Sequence, residues 1–258
     1  MAIHPSAIVS ADADVSREAE VGPYCIVGSG VKIGARTRLM AQVFLEGKLT
    51  IGEDNVFYPY CSCGVAPQDK KYKGEPSETR IGNRNTIREF VTIHRGTDGG
   101  GMVTSIGDDN LLMAYVHVAH DVIVHNQTII ANGVTFAGHV TVEDYANVGG
   151  LSAIHQFVRI GEHAIVGSRS VIKQNVLPYS QTATDHESKV YGANRIGLQR
   201  AGHTADEIEP LQNAFRLLSN AGLNTTQALA RIEEEIPLTA EVRKLIEFIR
   251  TSERGFIK

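Results

Sequence analysis

The side chains best suited to chemistry crowd into one stretch of this chain. Of ten histidines, five fall between positions 117 and 155: His117, His120, His125, His139 and His155. An imidazole exchanges a proton near neutral pH, which suits it to general-base work typically worth about 10²–10⁴ in rate. His120 stands out because Asp121 follows it directly. A carboxylate against an imidazole holds one tautomer and stabilises the protonated ring. Neighbouring residues on a strand face opposite ways, so such a contact at 120–121 requires a corner in the backbone. Cys61 and Cys63 have the form of half a metal site. Their phase in the repeat described next reads instead as core packing.

A six-residue period positions these side chains. Every sixth residue is apolar from Ile3 to Cys63, again from Ile81 to Ile93, and again from Ile106 to Ile172. Gly often follows the apolar position, as at Gly22, Gly28, Gly34, Gly52 and Gly82, which predicts tight backbone at or near a corner. Six fits neither an amphipathic helix nor a simple alternating strand; it fits a parallel β-helix of hexapeptide repeats. Three hexads close one coil, and residue n+18 stacks over residue n at about 4.8 Å. Position 138 then lies over His120, and His155 lies over position 137. The stacking predicts that His120, His139 and His155 line one edge of three consecutive coils. A triangular, left-handed coil is the form of known hexapeptide proteins, and its hand runs against the usual crossover rule.

Two polar interruptions break the period, near 64–80 and near 97–105. Insertions in a solenoid loop out on one face, often the binding face; Lys70, Lys71 and Lys73 in the first read equally as solvated charge. The period runs to about residue 177. Beyond it Thr204 and Glu207 form a capping-box pattern ahead of Ile208, Leu211, Phe215 and Leu218. Asn224 and Gln227 repeat that pattern ahead of Leu229 and Ile232, and a last helix from about Thr239 carries Val242, Ile246 and Ile249. The expected organisation is a β-helix over residues 1–189 and an α-helical domain over 190–258 covering one end of the solenoid, where open strand edges invite aggregation.

Composition narrows the function classes. The formal net charge is −4 over 258 residues, with no basic block, which argues against nucleic acid as a partner. No apolar run approaches the roughly 18 residues of a membrane span, and the first residues lack the pattern of a secretory signal. Three cysteines at inward positions predict reduced thiols and a cytoplasmic setting.

Several segments carry a family resemblance: IREFVTIHRGT (87–97), DNLLMAYVHVAHD (109–121), AGHV (137–140), IHQF (154–157), PQDKKYKGEP in the first insertion and GANRIGLQRAG (192–202). Together they resemble the UDP-N-acetylglucosamine O-acyltransferases, nearly end to end. The resemblance implies transfer of a 3-hydroxyacyl chain from acyl carrier protein to the glucosamine 3-hydroxyl of UDP-N-acetylglucosamine, the first step of lipid A biosynthesis. It implies a cytoplasmic homotrimer with clefts between subunits, and neither metal nor cofactor. By resemblance His120 is the base, Asp121 its carboxylate partner, and the Gly138 N–H the oxyanion donor. Asp69 and His139 correspond to sugar contacts, with His117 beside them and Lys71 in the same substrate-holding loop. His155 and Gln156 correspond to the region around the nucleotide or acyl chain, and Asn194 and Arg200 to the nucleotide's phosphate and uracil. Ala201 stands where relatives often carry a second Arg, and Ile196 where an acidic residue can occur. Ser168 occupies the place that limits acyl length, and its small size predicts a longer chain, with Arg169 beside it as a counterweight.

Other readings fit parts of the pattern. A γ-carbonic-anhydrase-like zinc hydratase also uses histidines from stacked coils, though the His117–His120 spacing does not favour it. The related N-acyltransferase carries an extra N-terminal domain, and the hexads here begin at Ile3. A scaffold would keep its function without His120. Arg195, Arg216 and Arg243 read either as surface charge or as contacts for the acidic carrier.

Overall fold

The computed structural model describes residues 2–185, 187–220 and 222–258. Through Ile172 the strands are two to four residues long and fall into three parallel sheets, each strand pairing with the equivalent strand of the next coil. The register is the predicted one: Ile8 pairs with Ile26, and Ile26 with Phe44. Where an insertion intervenes the ladder still closes, Ile51 pairing with Ile81 and Ile81 with Ile106. The chain is a left-handed parallel β-helix followed by helices.

Inward positions form one continuous core. Phe57, Phe136, Leu39 and Ile130 are almost wholly buried, as are all three cysteines, which are unpaired. Burial pushes the Cys61 thiol up to about 12 and Cys63 well above the usual thiol range, so both remain protonated packing groups. One corner of the core is polar. The Asn55 side-chain oxygen accepts from the Asn85 N–H at 2.9 Å, Asn85 does the same for Asn110, and Asn110 for Thr128 at 2.8 Å. This buried ladder rewards one register, because a slip would strand each amide without its partner.

The corners assign glycine a role that differs from the expected one. The left-handed position is held by non-glycine residues in coil after coil, among them Tyr24, Asp121 and His139 at φ of 57°, 59° and 62°. The glycines that follow the apolar position matter for close approach instead. A Cβ on Gly34 would lie 2.5 Å from the Gly52 carbonyl oxygen of the next coil.

The last coil passes into an antiparallel hairpin, Ser180–Asp185 with Glu187–Ala193, which spans the expected division at residue 190. Among the described residues four helices follow: α1 (Arg195–Arg200), α2 (Ala205–Asn220), α3 (Thr225–Glu235) and α4 (Ala240–Arg250). Of the two predicted capping boxes, the one at Asn224 forms in full and the one at Thr204 shows its Glu207 half. Glu207 accepts from the Thr204 N–H at 2.8 Å, and Asn224 and Gln227 cap each other reciprocally. Thr239 caps α4, whose Val242, Leu245 and Ile249 are buried. Arg159 on the solenoid stacks its guanidinium 3.7 Å over Phe248 of α4 and donates to the Phe248 carbonyl and the Thr251 hydroxyl, both at 3.0 Å. Among the described residues no helix is long and apolar enough to cross a membrane.

The two kinds of glycine give a contrast in stability. Gly34→Ala forces backbone apart and is expected to cost about 2 kcal/mol or more. Gly99→Ala, where an added Cβ meets nothing within 4 Å, is expected to stay within about 0.5 kcal/mol of wild type. Urea unfolding midpoints of the two variants measure the difference.

Candidate active site

Both insertions leave the solenoid at the same corner, between the sheet holding Ser62–Val65 and Thr92–His94 and the sheet holding Glu78–Ile81 and Val103–Ile106. His120 and Asp121 occupy that corner one coil beyond the second insertion, between His117–Val118 and Ile123–Val124. The left-handed φ of Asp121 turns its side chain back to its neighbour, and His120 Nδ1 lies 2.7 Å from Asp121 Oδ2. The second insertion closes over the carboxylate. Thr97 donates its N–H to Oδ1 at 2.8 Å and its hydroxyl to Oδ2 at 2.5 Å. Thr104 accepts from the Asp121 N–H at 2.8 Å. Gly96 and Gly100 permit this approach: a Cβ on Gly100 would sit 2.0 Å from Asp121 Cγ. The Asp121 side chain is 1% exposed and fully satisfied, so it orients the imidazole, placing the proton on Nδ1 and the lone pair on Nε2.

Gly138 sits one coil above His120, and only a residue without a side chain fits there, since a Cβ would lie 2.4 Å from His120 Cε1. The Gly138 N–H has no acceptor within the described chain. His139 meets His120 edge to face at 5.1 Å and stacks under Phe157 at 4.3 Å. Burial lowers the His139 pKa, with Asp121 and Asp69 opposing. A cavity of about 630 Å³ opens here, lined by Asp69, Lys71, Tyr72, Lys73, Thr97, His139 and Phe157 among others. Asp69 is fixed in its loop by accepting from the Lys71 N–H at 2.9 Å. The two insertions therefore form the wall of the cavity facing the stacked His139 and Phe157.

His117 is half-buried, its Nδ1 2.7 Å from the Thr92 hydroxyl, and burial lowers its pKa. Behind it lies His94, a residue the sequence reading did not single out although it stands in the quoted IHRGT segment. His94 is 5% exposed, meets His117 edge to face at 4.8 Å, and its Nδ1 has no hydrogen-bond partner among the described residues. Burial, with His117 and His120 adding to it, pushes its pKa down to about 4. Phe157 also escaped notice, because an aromatic at a corner reads from sequence as ordinary surface.

The other expected site residues lie elsewhere. His155 is exposed, its Nδ1 3.2 Å from Arg254, and neither it nor Gln156 lines the cavity around His139. Asn194 is engaged in structure: it accepts from the Gly197 N–H at 3.1 Å as the cap of α1 and donates to the His163 carbonyl at 3.0 Å. Arg200 is exposed at the end of α1, and Ala201 ends that helix. Ser168 is exposed in a turn of the last complete coil.

His120, Asp121 and His139 place potential ligand atoms within 4.8 Å of one another, compact enough for a metal ion. The Asp121 oxygens are already committed to Thr97 and His120, which favours the role of orienting carboxylate. A second such group, His203, Glu207 and Glu241, lies among the helices, where Glu207 already caps Thr204.

Known proteins match this chain over its whole length. A curated protein of Thermodesulfovibrio yellowstonii is 46% identical over 99% of both chains, and one of Verminephrobacter eiseniae is 44% identical over 99% of both. Both are named acyl-[acyl-carrier-protein]–UDP-N-acetylglucosamine O-acyltransferase. This chain belongs to the UDP-N-acetylglucosamine O-acyltransferase family. Residues 175–257 match the family described as Udp N-acetylglucosamine O-acyltransferase, domain 2, and residues 104–138 match the bacterial transferase hexapeptide. The solved structure of LpxA from Acinetobacter baumannii superposes with a TM-score of 0.95 at 40% identity over 99% of both chains. The UDP-N-acetylglucosamine acyltransferase of Bacteroides fragilis gives 0.97 at 36% identity, covering 99% of this chain and 100% of that one. This end-to-end kinship with acyltransferases overturns the zinc-hydratase alternative.

His94 gives this acyltransferase-family chain a pH-dependent stability. Its native pKa of about 4 lies below the ordinary 6.5, so the unfolded state binds the proton more readily. Stability is intact above pH 6.5 and falls as the pH drops from 6.5 towards 4, by up to about 3 kcal/mol. Denaturant unfolding at several pH values should show that slope in wild type and a flatter one in His94→Gln.

Proposed function

We propose that this protein transfers a 3-hydroxyacyl chain from acyl carrier protein to the 3-hydroxyl of UDP-N-acetylglucosamine, in the cytoplasm, as the first step of lipid A biosynthesis. The observation that carries the reading is His120 held by a buried, fully satisfied Asp121, directly beneath the unpaired N–H of Gly138. In this mechanism the His120 Nε2 lone pair takes the proton of the sugar hydroxyl. The freed oxygen attacks the thioester carbonyl, and the Gly138 N–H stabilises the oxyanion that forms. The C–S bond then breaks, and the departing pantetheine sulfur recovers the proton from His120. Asp121 stabilises the imidazolium between the two transfers. Asp69, His139 and Lys71 line the cavity in which the sugar sits, with His117 on the strand that leads into His120. Three buried, unpaired cysteines suit a reducing compartment.

The acyl chain runs along the coils, and exposed Ser168 leaves room for a long one. His155, Gln156 and Arg200 are exposed and available to a nucleotide that bridges beyond the cavity. Asn194 then contributes by holding α1 in place.

A homotrimer completes the cleft. Tyr60, Phe90 and Tyr115 stack in a column on another corner, with ring centroids 4.9 and 4.8 Å apart and exposures of 48%, 42% and 62%. Leu151 extends the same corner at 63% exposure. Such a stripe on a solenoid invites a second copy, which would wall the open side of the cavity.

His120→Ala is expected to lower kcat at least about a hundredfold, and Gly138→Ala to do the same by displacing the imidazole. Product formation from 3-hydroxyacyl carrier protein, followed by mass spectrometry, checks both. Retained activity in His120→Ala would sink the mechanism. Phe90→Glu is expected to convert the trimer to smaller species in sedimentation velocity; an unchanged profile would remove this corner from the interface.

A further inference from the structure

The chain's own tail supplies the last rung of the active-site corner. Asp121, His139 and Phe157 rise up that corner one coil at a time, and Asn175 is next in the column. No further coil follows. Instead the Asn175 N–H donates to the Gly255 carbonyl at 3.2 Å, and the Ile257 N–H donates to the Asn175 carbonyl at 2.9 Å, with a parallel bridge from Asn175 to Phe256. Gly255, at φ +69°, makes the bend. The tail thus sets Arg254 above His155, ninety-nine residues earlier in the chain.

A second cavity, of about 460 Å³, lies at this end. It shares His139 and Phe157 with the first cavity, so both open on the same aromatic stack. Two arginines line it, and they are in different states. Arg159 is held by an ion pair to Glu143 at 3.6 Å, by the Phe248 ring and carbonyl, and by Thr251. Arg254 is exposed and forms no ion pair among the described residues. Glu253 shares the wall without pairing to it.

The single side-chain partner of Arg254 among the described residues is one it can give up. A guanidinium only donates, so His155 Nδ1 must accept from it at 3.2 Å. The same nitrogen lies 3.2 Å from the Gln156 carbonyl, to which it must donate. The two bonds exclude each other. When Arg254 leaves, His155 has another bond to take up, and an anion offers the guanidinium a bidentate, charge-assisted pairing in place of a neutral one.

We propose that Arg254 binds a substrate phosphoryl group at the C-terminal end of the cleft. The inference rests on the acyltransferase reading, in which both substrates carry phosphate: the diphosphate of the nucleotide sugar and the phosphodiester of the carrier's pantetheine arm. Arg254 acts on binding, and the reacting atoms stay with His120 and Gly138.

The test uses full-length wild type, Arg254→Gln and Arg254→Lys, with thermal melting to establish folding. Each is titrated calorimetrically with UDP-N-acetylglucosamine and, separately, with a 3-hydroxyacyl-phosphopantetheine lacking the carrier, alongside steady-state kinetics. Arg254→Gln should weaken one ligand by about ten- to a hundredfold and raise its KM to match, with kcat within about threefold. Arg254→Lys should recover part of the loss. Weaker nucleotide-sugar binding assigns the diphosphate, and weaker pantetheine binding assigns the donor. In ¹⁵N spectra of wild type, saturation with the assigned ligand should move the His155 proton from Nε2 to Nδ1. A wild type that transfers no acyl group overturns the activity reading. A competent wild type with Arg254→Gln binding both ligands unchanged overturns this inference alone.

Discussion

A buried carboxylate organises the site. Asp121 is withdrawn almost completely from water, and an ion in that position survives only when its oxygens are satisfied. Thr97 satisfies them from one insertion and His120 completes the set. Each surrounding feature follows from that requirement. The corner must turn left-handed to bring adjacent side chains together, Gly96 and Gly100 must lack side chains for the loop to close, and Gly138 must lack one for the imidazole to lie flat beneath it. The same contacts that offset the burial of the charge also define which nitrogen of His120 is free. Stability and chemistry therefore depend on one set of atoms.

The solenoid makes such a site inexpensive to build. Strand pairing repeats every coil, so corner residues from three coils are brought into columns without any long connection. Insertions leave at one corner only, and their strands rejoin the ladder in register. The end of the solenoid would expose unpaired strand edges, and the hairpin, α4 and the tail cover it. Arg159 couples α4 to the coil beside the cleft, so the helical end is mechanically continuous with the cavity.

Much of this was legible in the sequence, for physical reasons that can be named. A period of six fixed the inward positions, because each hexad contributes one buried apolar side chain to a narrow core. The helix starts at Thr204, Asn224 and Thr239 were legible because capping is local. The meeting of His120 with Asp121 was legible only as a condition, since it depends on the sign of one φ. The asparagine ladder was missed because Asn55, Asn85 and Asn110 are polar at positions where small or apolar residues also serve. His94 was missed because burial of an imidazole depends on what packs over it. The hairpin through residue 190 was missed because its strands lack the six-residue signature. Of the residues assigned by resemblance, Asp69, Lys71 and His139 line one cavity and His120 meets His139 with Asp121 and Gly138 against it, whereas Asn194 caps a helix and His155 faces the tail. Tertiary contacts of the final rung, Arg254 among them, have no local signature at all.

The central claim is that Asp121 makes His120 an effective base for acyl transfer to the sugar 3-hydroxyl. The most direct measurement is steady-state transfer from 3-hydroxyacyl carrier protein to UDP-N-acetylglucosamine by wild type and Asp121→Asn, with the acylated oxygen identified by NMR of the product. The account predicts a 3-O-acyl product from wild type. In Asp121→Asn, kcat should fall by about 10²–10⁴ while both KM values stay within a few-fold. A variant that turns over like wild type, or a product acylated elsewhere, would contradict it.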